Sequence, residues 1–420
     1  MTEAPRRRAV LLVANAAAPY SRGLRVARSL QAAGWDVEIA AVDDGRHPAE
    51  EDDAGVRVRR YRPHGRWARW QTDAPRSSAR GPRARLARWA DAAVKLVAWP
   101  VHVRAWWAAL AAELPPADLY HAFGILTIPV ANRLAADARR GGRHARVVYD
   151  VIDVILESNN VAGVPGPALA VWRRRERGWV RRADLVVTVN DPIADHLAAV
   201  WRLARRPTVL LNCQPRWTPP AVRPDLIRAA TGIPPERRVV LFLGRLGRER
   251  GLDVAAEAVL RLDDAALVLL GFGGWEDRLR DRDRDPRFAG RHFTLPPVHP
   301  DDVPAWTASA DVSVIAVPAN SLNQRLSSPN KFWESLTAGT PVVVGRDLSV
   351  MREIVEREGL GAVADPGDAD DLAAALRSLL EAPDDARAAM RETCLRVTRD
   401  RYCWEVAVEP YLTAVAGLGR

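Results

Sequence analysis

The chain has 420 residues, 48% of them hydrophobic, which is enough to bury a large core in about two domains of ordinary size. Its formal charge of +9 and pI near 10.1 favour anionic partners, while no apolar run reaches the about 18 residues of a hydropathy-defined membrane span. Cys213, Cys394 and Cys403 are odd in number and unrelated in spacing, which argues against a disulfide framework or a cysteine zinc site and suits a reducing cytosol.

Ala9 to Val13 reads as a buried strand, because the apolar run after the basic start is too short for a secretory h-region. A loop through Pro19 and Gly23 follows, then an amphipathic helix from Leu24 to Ala33 and a strand from Val37 to Val42. Strand, helix, strand alternation predicts a parallel α/β sheet. The first loop lacks the GxGxxG spacing of dinucleotide dehydrogenases, which argues against hydride transfer.

Residues 59–114 mix arginines with Trp67, Trp70, Trp89, Trp99, Trp106 and Trp107. Two readings are open for this stretch. From Leu86 the apolar Trp89, Ala90, Ala93, Val94 and Val97 recur at helical spacing near Arg83, Arg85, Arg88 and Lys95, as in a basic amphipathic helix lying in an anionic membrane surface, or else the stretch forms core helices of the first domain with basic outer faces. Asp118 to Phe123 and Val147 to Ile152 read as strands whose carboxyl ends present His121, Asp150, Asp153 and Glu157. Ligands of open α/β sheets gather at such ends, so His121 and Asp153 are candidates for the acceptor side. Asp184 to Val189 and Val209 to Asn212 complete the strands of this half, and the prolines between Gln214 and Pro224 mark a linker.

The second half opens on the apolar strand Val239 to Leu243, running into GRLGRERG and a helix from Leu252. Gly244 leaves room for a close ligand, and Arg245 and Arg250 can each give phosphate a charge-assisted bond of roughly 1.5–3 kcal/mol. The strand from Leu267 to Leu270 ends in Gly271, Phe272, Gly273 and Gly274, a loop suited to backbone contact with a nucleotide. Asp281 and Asp283 form a DxD pair, but alternating charges around them favour a solvated surface over a metal site.

After a strand from Asp311 to Val317 comes SSPNKFWESLTAGTPVVV, from Ser327 to Val344. Ser328 is expected to cap a helix with Pro329 at its first position, leaving the amides of Asn330, Lys331 and Phe332 open to an anion. Lys331 adds a full charge there and is, with Lys95, one of only two lysines in the chain. Glu334 shares its helix face and can accept bonds from the hydroxyls of a ribose.

GRLGRERGLDVAAEAV, LLGFGG, SADVSVIAVP, SPNKFWESLTAGTPVVV, GLGAVADPGDADDLAAAL and RDRYCWE resemble, in order and spacing, the motifs of the family 4 retaining glycosyltransferases. The first half resembles that family more loosely, through DLYHAF, VVYDVIDVILE and ADLVVTVN. The resemblance implies a GT-B fold, two Rossmann-like α/β domains facing across a cleft. The expected domains are an acceptor-binding domain over 1–213, a linker over 214–224, a nucleotide-sugar domain over 225–395, and a carboxy-terminal helix over 396–420 returning to the first domain.

It implies that Arg245 and Arg250 bind the donor diphosphate, where position 250 is usually Lys, and that Glu334 binds the ribose. His121 would lie near the sugar, Lys331 would serve with the arginines in catalysis, and Gly244, Gly271, Gly273, Ser328 and Asn330 would contact the donor. Gly23, Asp150 and Asp153 fall on the acceptor side. Leu326 stands where the family often has a second glutamate, and Ile152 where many members have a histidine.

The expected activity is retaining transfer of a hexosyl or N-acetylhexosaminyl group from a nucleotide-diphosphate sugar to a hydroxyl acceptor. That acceptor would be a cell-surface polysaccharide or lipid-linked intermediate, or else a soluble natural product. No cofactor or metal is expected, nor nucleic acid as a partner. The expected location is the cytoplasm, peripheral at the inner face of the membrane through residues 59–114. The alternative of another class is an inactive membrane-associated scaffold of the same fold.

Overall fold

The computed structural model describes residues 6–18, 20–63, 100–161 and 164–418. The chain forms two compact units, one of Met1–Leu210 with Val408–Arg420 and one of Leu211–Ala407.

The first unit is built on eight strands: β1 (Arg8–Leu12), β2 (Asp36–Val42), β3 (Glu50–Asp53), β4 (Val56–Tyr61), β5 (Leu119–Phe123), β6 (Arg146–Val151), β7 (Leu185–Thr188) and β8 (Thr208–Val209). Their order is β3-β4-β2-β1-β5-β6-β7-β8, and every pairing is parallel except the β3–β4 hairpin at the edge. Residues Ala9 to Leu12 of β1 are fully buried, as a strand covered on both faces must be.

Sequence reading missed the hairpin, because Glu50–Asp53 has no apolar residue to mark a strand. Charge supplies what burial does not. Arg59 lies opposite Glu50 and pairs with it at 2.9 Å, while the buried Arg60 guanidinium binds Glu51 and the carbonyls of Ala16 and Pro48. Arg59 and Arg60 are therefore strand residues. Ala54 and Gly55 both take positive φ, which fits the turn to the twist of the strands.

Of the tryptophan-rich stretch, residues 64–99 lie outside the described residues, and with them Trp67, Trp70, Trp89 and Trp99. A helix over 100–113 is described. In it Trp106 is buried in the unit's core, and Trp107 donates to Asp137 at 3.1 Å beneath the guanidinium of Arg133. These two tryptophans are packing residues.

The second unit has six parallel strands: β9 (Arg238–Arg245), β10 (Ala265–Phe272), β11 (His292–Leu295), β12 (Val312–Ile315), β13 (Val342–Gly345) and β14 (Gly361–Ala364). Their order is β11-β10-β9-β12-β13-β14. From β9 the chain first builds outward through β10 to β11, then returns to lay β12 on the other side. That reversal between β9 and β12 is where sheets of this kind bind ligands.

The tail divides at Val408 and not at residue 396. The helices Asp384–Asp400 and Trp404–Ala407 stay with the second unit, whereas Glu409–Gly417 belongs to the first. Trp404 is held by its amide donating to the Gln214 carbonyl at 2.8 Å, so the Trp404 helix does not itself join the first unit.

Candidate functional site

β12 pairs with β9 only at Val312 opposite Val240 and Ser313 opposite Leu241. Beyond Leu241, β9 runs on through Gly244 and Arg245 with no β12 neighbour, so a crevice opens between the strand ends. The helix Asn330–Thr337 follows β12 and is pinned by Phe332, Trp333 and Leu336, all fully buried. Its first turn lies at that crevice: the Lys331 Nζ sits 3.7 Å from the centroid of the Phe242 ring.

The helix start differs from expectation. Pro329, extended at φ −69° and ψ 161°, occupies the capping position, and Ser328 precedes it without capping. The amide of Phe332 donates to the Pro329 carbonyl at 3.0 Å, so it is closed to an anion. The amides of Asn330 and Lys331 have no partner among the described residues, as expected at a helix start. The Asn330 side chain is held from below, its Oδ1 accepting from Asn212 Nδ2 at 2.7 Å.

Lys331 Nζ, Arg250 Nε and Ser328 Oγ are buried without hydrogen-bond partners. Burial pushes the Lys331 ammonium down to about 7, the positive charge of Arg250 adds to this, and Glu334 opposes it. The carboxylate paired with Arg250 is that of its neighbour Glu249, at 3.9 Å. Buried cationic atoms left without hydrogen bonds are costly, and an anion that bonds to them removes that cost. Arg245 is exposed at the end of β9, with no ion pair among the described residues.

The glycines shape this end of the sheet. Gly244 takes φ 105°, and a Cβ there would stand 3.8 Å from Lys331 Nζ. A Cβ at Gly271 would overlap the Gly244 carbonyl oxygen, and one at Gly273 that of Leu246. Both positions are thus explained by close backbone packing of neighbouring chain, without appeal to a nucleotide. Asp283 of the DxD pair is used inside the unit, bonding His292, the Thr294 amide at 3.1 Å and the Thr294 hydroxyl at 3.2 Å. Asp281 pairs with Arg284 at 3.3 Å.

In the first unit the corresponding reversal lies between β1 and β5, and its centre is closed. Arg22 donates to both oxygens of Asp150, at 2.9 and 3.0 Å, and to the Leu210 carbonyl at 3.1 Å. His121 bonds Asp150 through Nε2 at 3.3 Å and Tyr411 through Nδ1 at 2.9 Å. Burial alone would raise the Asp150 carboxyl, yet Arg22 and His121 hold it below its ordinary range. Burial lowers His121, so the ring is neutral. The network then assigns Nε2–H donating to Asp150 and Nδ1 accepting from Tyr411.

His121 and Asp150 are both 0% exposed. Each has its polar atoms satisfied by its own unit. Asp153 is exposed in the loop after β6, and Gly23 is required where a Cβ would lie 2.5 Å from the Tyr20 ring. Sequence reading missed Arg22, Tyr411, Phe242 and Asn212. Phe242 is one apolar residue in an apolar strand, and Tyr411 meets His121 across 290 positions, so neither carried a local signal.

Residues 224–394 match the family described as glycosyl transferases group 1, and residues 20–214 match the glycosyl transferase 4-like domain. The chain is 27% identical over 241 residues to a sulfoquinovosyl transferase of Arabidopsis thaliana, covering 54% of this chain and 43% of that protein. It is 32% identical over 152 residues to a GDP-mannose-dependent alpha-(1-6)-phosphatidylinositol monomannoside mannosyltransferase of Mycobacterium tuberculosis, covering 34% of this chain and 39% of that one. The chain thus spans less than half the length of these curated relatives. Sucrose-phosphate synthase of Thermosynechococcus elongatus has the same fold, with a TM-score of 0.72 at 19% identity over 99% of both chains. With both halves matched and two parallel-sheet α/β units in place, the chain belongs to the group 1 glycosyl transferases of the GT-B fold.

Proposed function

We propose that the protein transfers a sugar from a nucleotide-diphosphate sugar to a hydroxyl acceptor, with retention and without a metal. The observation that carries this is the unpartnered Lys331 ammonium beside Arg250 at the end of β9. The donor diphosphate binds Arg245, Arg250, Lys331 and the amides of Asn330 and Lys331, with Ser328 Oγ donating to it. Glu334 accepts from the ribose. As the sugar C–O bond breaks, negative charge grows on the diphosphate, and fixed donors stabilise it more than they stabilise the ground state. The acceptor hydroxyl attacks from the leaving-group face and passes its proton to a phosphate oxygen.

The acceptor belongs to the first unit, with Asp153 and Gly23 on its side. There the Arg22–Asp150–His121–Tyr411 network acts as a rigid support and His121 as a positioning residue. The named mannosyltransferase acts on a phosphatidylinositol monomannoside, which supports a lipid-linked acceptor. No helix among the described residues is long and apolar enough to cross one.

A donor-hydrolysis screen over a panel of nucleotide sugars tests the reading, with the anomeric configuration of the product followed by NMR. Slow hydrolysis of one donor, lost in Arg245→Ala, is expected. No hydrolysis of any donor, full activity of Arg245→Ala, strict dependence on Mn²⁺ or inversion at the anomeric carbon would refute it.

A further inference from the structure

The helix Gly166–Val180 and the turn after it carry WRRRERGWVRR over 172–182. Trp172 anchors the helix by packing with Ile125 and Leu156. The one acid, Glu176, is also turned inward, where the Tyr149 hydroxyl donates to it at 2.9 Å. What remains outside is Arg173, Arg174, Arg175, Arg181 and Arg182, all exposed and none with a carboxylate partner among the described residues.

Arginine abundance does not account for this. The helix Glu276–Asp283 is as rich in charge, yet Arg280 pairs with Glu276 and Arg282 with Asp253, and just beyond it Arg284 pairs with Asp281. Exposed Arg206 is likewise shared by Asp191 and Asp195. The positive charge of 173–182 is segregated, and its complement lies off the protein.

The face also has shape. Val171, Arg174, Arg175, Gly178, Trp179 and Arg182 line an open groove of about 380 Å³. These positions recur at helical spacing and form one stripe. Val171 is 46% exposed, and a Cβ at Gly178 would meet nothing within 4 Å. Glycine in a helix interior is unfavourable, and no packing among the described residues requires it here.

We propose that this stripe seats the protein on an anionic bilayer. Arg174, Arg175 and Arg182 hold lipid phosphates, the notch at Gly178 takes a headgroup, and Val171 reaches the acyl boundary. Nucleic acid offers the same charge but no use for the exposed valine at the edge of the groove. The inference stands apart from sugar transfer and from residues 64–99.

Flotation of the full chain with phosphatidylcholine vesicles, with and without phosphatidylglycerol, at low and high salt, tests it. Binding to the anionic vesicles alone, lost at high salt, is expected. The triple variant R174E/R175E/R182E should bind about a hundredfold more weakly, since each arginine near such a surface contributes about fivefold. Val171→Asp should weaken vesicle binding by a smaller factor. If charge reversal unfolds the chain by circular dichroism, the triple glutamine variant is read in its place and should still lose most of the binding. Equal binding to neutral vesicles, flotation unchanged in the triple variant, or tighter binding to RNA than to vesicles overturns the assignment.

Discussion

The carboxyl ends of the two sheets are built to one topological plan and used in opposite ways. At the reversal of the first sheet, the charges of Arg22 and Asp150 neutralise one another, and His121 and Tyr411 complete the set. At the reversal of the second, Lys331, Arg250 and Ser328 are left with buried atoms that no neighbour satisfies. A satisfied polar network holds a structure, whereas an unsatisfied one holds a place for a ligand. The contrast supports the proposed anion site in the second unit.

The largest test of the contrast is Asp150→Asn, which leaves the Arg22 guanidinium buried and uncompensated. It should lower the stability of the first unit by about 3–5 kcal/mol in urea unfolding. Nucleoside diphosphate affinity should change little if the folded fraction is measured.

Lys331→Met should do the reverse. It removes a buried unpaired charge, so the ligand-free protein should melt at a higher temperature. Transfer should fall by about 10²–10³ in kcat/KM, with loss of the thermal shift on adding nucleoside diphosphate. A lower melting temperature with binding intact would show that Lys331 is structural.

The Lys331 ammonium titrates at about 7 in the empty site, against 10.5 in an unfolded chain. Between those values the unfolded chain holds the proton that the folded one has released. Stability of the ligand-free protein should therefore rise with pH across that window, by at most about 1.4 kcal/mol per unit from this group. Nucleoside diphosphate affinity should fall over the same range, because the bound form needs the cation. Lys331→Met should flatten both profiles.

The smallest effect separates capping from binding. If Ser328 capped the helix, Ser328→Ala would cost about 0.5–2 kcal/mol of stability. Since it does not cap, the substitution should leave ligand-free stability unchanged or slightly raised. It should weaken nucleoside diphosphate binding by about ten- to a hundredfold, the loss of one hydrogen bond to a charged group.

Much of the second unit was legible in the chain. Buried parallel strands must be apolar throughout, and β9, β10 and β13 read that way, while Lys331 and Arg250 follow local signals at the ends of strands and the start of a helix. The hairpin of β3 and β4 was hidden because charge pairs hold an acidic strand at the edge, where no hydrophobic alternation is needed.

Sequence alone determined the two α/β units, most of their strands and the candidate cations, because hydrophobic period and the chemistry of turns and helix ends act over a few residues. Tertiary structure decided which candidates stand open. His121 is closed off by Tyr411 and Asp150, and Lys331 is stripped of water over Phe242 beside a second cation. Satisfaction and burial are properties of neighbours in space, and those neighbours are far apart along the chain.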